Sequence, residues 1–222
     1  MLVVFTLLLM VIVAVAQYRN GLFTSVTMLI QVMLAGLIAF GFWEPIADQL
    51  DSYWPANSAM AGYEDCIVLT GLFALALLGM RLTTNRLNKA AIDFPIMVQQ
   101  ITSPAAGALT GYLLAGFLIC VFQTLPIEET FFGFEPRRSD EPGLRSYLPP
   151  DRVWLALMRH AGAYPLCWNE DNPAADNPSD RYATFDRNGT FELRYARNRR
   201  HTDRRGPMPY QGEFDEQLGR RK

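Results

Sequence analysis

The sequence predicts an all-α integral membrane protein: four transmembrane helices, an amphipathic helix between the third and fourth, and a small α+β tail with a short helix and a β-hairpin. The first observation behind this is charge segregation. Residues 1–125 carry only Arg19, Arg81, Arg86 and Lys89 as bases and only Glu44, Asp48, Asp51, Glu64, Asp65 and Asp93 as acids, so 16 of 20 bases and 16 of 22 acids lie in 126–222. The second is the length of the uncharged runs. Leu22–Trp43 holds no charged side chain, and at about 1.5 Å per helical residue it crosses a hydrocarbon core of roughly 30 Å. Bulk averages conceal both facts, because 50% hydrophobic and 19% charged residues, with a mean hydropathy of +0.06, would suit a soluble protein.

The membrane domain is placed at 1–125, with spans at about 2–17, 22–43, 66–82 and 105–125. The first span reaches only about 24 Å, so it must stand nearly upright or thin the bilayer locally. It ends in Ala14-Val15-Ala16, which looks like a signal-peptide cleavage site. No basic n-region precedes it and a second apolar run follows at once, which favours a retained span. Tyr18-Arg19-Asn20-Gly21 joins the first two spans as an antiparallel hairpin with Arg19 and Gly21 at its tip. In the second span Thr24, Ser25, Thr27 and Gln31 each need a hydrogen-bond partner in lipid. Gln31, near mid-depth, reads as a link between helices; its other reading is the polar lining of a path.

Glu44-Pro45 is expected to stop the second span. The segment from there to Asp65 has five acids and no base, with Trp43, Tyr53, Trp54 and Tyr63 expected where rings meet headgroups. After the third span, Leu82, Leu87, Ala91, Phe94, Val98 and Ile101 suit an amphipathic helix on the bilayer surface over 83–101, kinked or divided at Pro95, with Arg86 and Lys89 on its wet side. Ser103-Pro104 reads as an N-cap and first helical proline for the fourth span. There Gly107, Gly111 and Ala115 recur every four residues, a stripe that lets another helix backbone approach closely. An intrachain partner is the default and a homo-oligomeric contact the alternative.

Residues 126–148 read as a linker, 149–205 as a small soluble tail and 206–222 as disordered. In the tail, Pro149-Pro150-Asp151 starts a helix whose apolar face is Val153, Trp154, Leu157 and Met158, and Gly162 ends it. Two strands, Tyr182–Phe185 and Thr190–Tyr195, flank the turn Asp186-Arg187-Asn188-Gly189. Two strands alone are marginal, so they should lean on the helix, the membrane part or another subunit. Asn188-Gly189-Thr190 also fits a glycosylation sequon, but the turn accounts for the same residues. Arg194, Arg197, Arg199, Arg200, Arg204 and Arg205 form a basic patch that fits an anionic surface or, more plainly, a solvated strand end. Aromatic residues are too sparse around it for a nucleic-acid platform, and no nucleic acid is expected. The first and third loops hold four bases and the second none. That asymmetry places both loops in the cytoplasm and both termini outside, although Arg137 and Arg138 favour the opposite.

No ionisable side chain lies at mid-depth in any span, which counts against an ion-coupled carrier. Gln31, Thr70 or Thr110 could line a passive pore across subunits. His160 and His201 have no matching Cys or carboxylate spacing for a metal, and Cys66, Cys120 and Cys167 form no disulfide framework. There is neither a G-x-S-x-G elbow nor a phosphate-binding glycine loop. Neither catalytic residues nor a cofactor are expected.

The order of these features over residues 1–125 resembles the CvpA, or colicin V production protein, family of bacterial inner-membrane proteins. The likeness rests on the short first span, the Arg19-Asn20-Gly21 junction, the small-residue-rich second span ending Phe42-Trp43-Glu44-Pro45, the extended third span and the glycine-striped fourth. The family junction often reads Arg-Gly; here Asn20 intervenes. The resemblance implies a four-helix, non-enzymatic protein of the inner membrane linked to colicin V or toxin production or export and to envelope homeostasis. Its partners would be the bilayer and a second copy or an envelope or secretion protein. A small oligomeric channel or passive transporter is the competing reading.

Overall fold

The computed structural model describes residues 2–53, 63–87, 95–125 and 149–162, together with 191, 194 and 195. Among these there are five helices and no strand: α1 (Leu2–Tyr18), α2 (Leu22–Tyr53), α3 (Glu64–Leu87), α4 (Ile96–Thr124) and α5 (Pro150–Ala161). Leu22–Trp43, Glu64–Arg86 and Met97–Thr124 are long and apolar enough to cross a membrane, and α1 is a shorter apolar helix of 17 residues. Large apolar side chains such as Val4, Leu8, Val15, Ile30, Leu75 and Leu78 are exposed. Acyl chains, which solvate such groups at no cost, are the environment that this surface fits.

α4 is central, with 56% of its apolar window buried against 33% for α2 and 17% for α3. It packs on α1 along one side and on α2 along the other, while α3 packs mainly on α2. The helices therefore follow the order α1, α4, α2, α3, and α5 lies over α4 and α2. α1 and α2 leave their shared turn splayed, because α4 offers α1 the closer approach through its glycines. Val32, Ala35, Ala39, Phe40, Leu69, Phe73, Leu113 and Phe117 form the core, together with Trp154 and Met158 of α5 and with Phe191 and Tyr195.

Several boundaries differ from expectation. The second apolar span ends at Trp43 as expected, but the helix does not, since α2 continues through Glu44-Pro45 to Tyr53. Trp43, Ala47 and Leu50 carry the core-facing stripe onward at helical spacing. Gly41, whose carbonyl Pro45 deprives of a donor, has open space around it, so the local strain is relieved cheaply. Trp43, at the end of its apolar window, is 2% exposed and packs on Phe191 and Tyr195. Nor is there a separate helix over 83–101 among its described residues: its front belongs to the end of α3 and its rear to the start of α4, which opens after the extended Pro95. Pro104 is thus interior to α4, and Ser103 is no N-cap. α5 begins and ends where its proline and glycine signals placed it, with Pro150 in the first turn and Gly162 as C-cap.

The second expected strand is also corrected. Phe191, Arg194 and Tyr195 are helical, and the Phe191 and Tyr195 ring centroids lie 4.8 Å apart. An extended chain would separate residues four apart by roughly 13 Å, whereas one helical turn stacks them. The first strand and the turn lie outside the described residues, as do the 126–148 linker and 206–222.

Candidate functional site

The described side chains form two polar clusters at opposite ends of the bundle, joined by a glycine seam and a filled groove. At the first end, Gly21 turns the chain from α1 to α2 with φ +80°, and a Cβ there would lie 2.6 Å from Gln99 Nε2. Both the left-handed conformation and the close approach call for glycine. Beside it the Gln17 carbonyl accepts from the Asn20 N–H at 3.0 Å and from Ser103 Oγ at 2.7 Å. Ser103 Oγ is also 2.7 Å from Ser25 Oγ. Gln17, Ser25 and Ser103 are all buried, so α1, α2 and α4 are tied together at the last turn of α1, where the Gln17 carbonyl takes a second donor.

Along the seam α1 runs antiparallel to α4. A Cβ on Gly107 would meet Ala14 Cα at 2.9 Å, and one on Gly111 would meet Met10 Cα at 2.8 Å. At the far end the Phe5 and Phe122 rings meet edge to face with centroids 6.3 Å apart. Ala115, the third member of the stripe, is fully buried. Gln31 joins α2 to α3: its Nε2 donates to Thr84 Oγ1 at 2.7 Å and to the Met80 carbonyl at 3.4 Å.

The groove between α2 and α4 holds α5. Trp154 fills it, fully buried among Phe40, Phe73 and Phe117, with ring centroids 6.2, 6.5 and 5.7 Å away. Two glycines make the space. A Cβ on Gly36 would run into the Trp154 indole and lie 3.0 Å from Met158 Sδ, and one on Gly116 would run into the Pro150 carbonyl. Any side chain at either position would overlap α5. Trp154 Nε1 and Trp43 Nε1 are buried without a hydrogen-bond acceptor, so ring packing alone seats them. At the second end Asp151, fully buried, accepts from Gln123 Nε2 at 3.1 Å, and Tyr195 Oη donates to Asp65 at 2.8 Å.

The residue pattern Gly107–Gly111 and the Arg19–Gly21 tip are thus found at an α1–α4 seam and an α1–α2 turn, with Arg19 exposed. Arg194 is half-buried in the helical turn beside Tyr195, and Arg197, Arg199, Arg200, Arg204 and Arg205 lie outside the described residues. No group of three or more His, Cys, Asp or Glu able to hold a metal occurs among the described residues. Sequence reasoning missed Gln17, Ser103, Gly36 and Gly116. Glycines inside apolar helices were a usable signal for the last two; for Ser103 the local signal pointed elsewhere.

The bundle order, the turn and the seam fall within the part of the chain matched by a known profile, that of the colicin V production protein, over residues 3–136. The chain belongs to the colicin V production protein family. Neither a curated protein nor a solved structure matches it. The family match covers α1 to α4 and ends before α5, so the helix that fills the groove lies beyond the matched region of this CvpA-family chain. Membership makes it a membrane protein of colicin V production.

Proposed function

We propose that this chain is a four-span, non-enzymatic factor of the bacterial inner membrane that supports colicin V export and envelope homeostasis by packing against itself or a partner protein. The observation that carries the reading is the family match over residues 3–136. α1 is the span added to the three longer apolar helices, a reading supported by its packing along α4 between Ser103 and Phe122. Four bases in the first and third loops against none in the second favour those loops in the cytoplasm, with α5 on the outer side.

Polar side chains within the spans support packing over conduction. Gln31 donates to Thr84 and Met80, and Thr110 to the Ala106 carbonyl at 2.8 Å, so two of the three side chains named for a pore are engaged within one protomer, while the third, Thr70, is exposed. The test is complementation: a colicin V-producing strain lacking its own family member should regain toxin in the medium when given this chain, and Gln31→Leu should retain that activity. Conductance from the purified chain in liposomes that disappears with Gln31→Leu would refute the packing role in favour of a channel.

A further inference from the structure

α3 is the least covered of the three long apolar helices, with 17% of its window buried, and it packs mainly on α2. Gln31 fixes the register between the two by donating to the Met80 carbonyl and to Thr84 Oγ1. Arg81 follows Met80 and so stands level with Gln31, nine residues inside the Leu22 end of the α2 window, or about 14 Å along the axis. The expectation that no ionisable side chain lies at mid-depth is thereby corrected: Arg81 is one, within the Glu64–Arg86 window.

Arg81 is exposed and makes no hydrogen bond or ion pair among the described residues. An extended arginine reaches roughly 7 Å, from about six bonds near 1.5 Å, which is half the way back to the nearer surface. Its Cα–Cβ bond also leans toward the α3 N-terminus, away from that surface. Snorkelling along the aliphatic stem therefore does not return the guanidinium to water, and a charge held at this depth needs an opposite charge beside it. The chain supplies none there among the described residues. The acids of α2 follow Trp43, those of α3 lie in its first turn and that of α5 lies beside Gln123, all at the opposite end of the bundle; α1 and α4 contain no acid.

We propose that the lipid-facing stripe of α3 around Arg81 is the docking surface for a transmembrane helix of another protein that carries Asp or Glu at matching depth. Ala74, Leu78, Arg81 and Asn85 are exposed at i, i+4, i+7 and i+11 and define the stripe. Ala74 lets a partner backbone close in, Arg81 offers paired N–H donors to a carboxylate, and Asn85 adds an amide one turn on. Charge complementarity selects a different protein over a second copy, because a symmetric pair on this face would set Arg81 against Arg81. The inference rests on the packing role proposed above and narrows it to one surface and one partner chemistry.

The test places the full chain, donor-labelled, in phosphatidylcholine vesicles with an acceptor-labelled Leu/Ala transmembrane peptide of about 22 residues, bearing either Asp or Leu at its centre, and reads energy transfer. The wild type captures the Asp peptide roughly threefold to thirtyfold more tightly than the Leu peptide, the range of polar contacts between helices in lipid. Arg81→Leu loses that preference, Arg81→Lys keeps most of it and Arg86→Leu leaves it unchanged. Equal capture of both peptides by the wild type overturns the proposal, as does a preference that survives Arg81→Leu. A chain indifferent to the peptides that instead enriches phosphatidylglycerol around itself through Arg81 also overturns it, marking a headgroup site. Equal capture with toxin export still restored removes this surface alone, whereas lost export with the Asp preference intact removes the export role alone.

Discussion

Replacing Gly111 by alanine should loosen the seam between α1 and α4. The new Cβ would stand 2.8 Å from Met10 Cα, 2.9 Å from the Leu9 carbonyl oxygen and 3.2 Å from Met10 N. Non-bonded carbons prefer about 3.5–4.0 Å, so the α1 backbone must withdraw by about 1 Å at that turn. Side chains cannot absorb this, since the nearest atoms are all main chain. Overpacking of this kind costs about 1–3 kcal/mol, against a gain of at most about 1 kcal/mol in helix propensity. The net loss is up to about 2 kcal/mol. Gly79 and Gly71 provide the control, because a Cβ there meets nothing within 4 Å. Alanine at either should be neutral or stabilising by about 0.5–1 kcal/mol. Because Gly107 and Gly111 press on the same face of α1, the double alanine variant should cost less than the two singles together. Thermal unfolding of the purified chain in detergent, followed by circular dichroism, measures all five variants. A Gly111→Ala protein at least as stable as Gly79→Ala would refute the seam.

Two further expectations concern the groove and the first polar cluster. Trp154→Ala empties a site enclosed by three aromatic rings and should destabilise the fold by about 3–5 kcal/mol, with trypsin then cutting after Arg152 or Arg159; unchanged melting and protection would count against the seating of α5. Ser103→Ala removes one of the donors to the Gln17 carbonyl and should cost about 0.5–1.5 kcal/mol, measured in the same melts, whereas no change would leave that hydroxyl without a structural role.

The parts of this fold that were legible in the sequence are those set by solvent and by local rules. Uncharged runs identify helices that lipid can solvate, and Pro150 with Gly162 brackets α5 because those residues act on the backbone nearest to them. Tertiary contacts overrode local rules elsewhere. Ser103-Pro104 has the chemistry of a helix start, but its hydroxyl is bonded to Gln17, 86 residues away, and α4 runs through. Pro45 has the chemistry of a stop, but Ala47 and Leu50 have core to cover. Phe191 and Tyr195 alternate well enough for a strand, and only their common seat on Trp43 distinguishes a helical turn. In the candidate site the glycine stripe was readable because small residues at i and i+4 mean close approach whatever the partner. That α5 would occupy the groove was not, because nothing in residues 22–124 specifies which distant segment covers Gly36 and Gly116.

That distance also imposes an order of assembly. The apolar helices reach the lipid as they leave the ribosome, but the segment that closes the cleft ends 37 residues after Thr124. At synthesis rates of roughly 5–20 residues per second, it lags by about 2 to 7 s. During that interval Gly36 and Gly116 lack the helix that covers them in the finished fold.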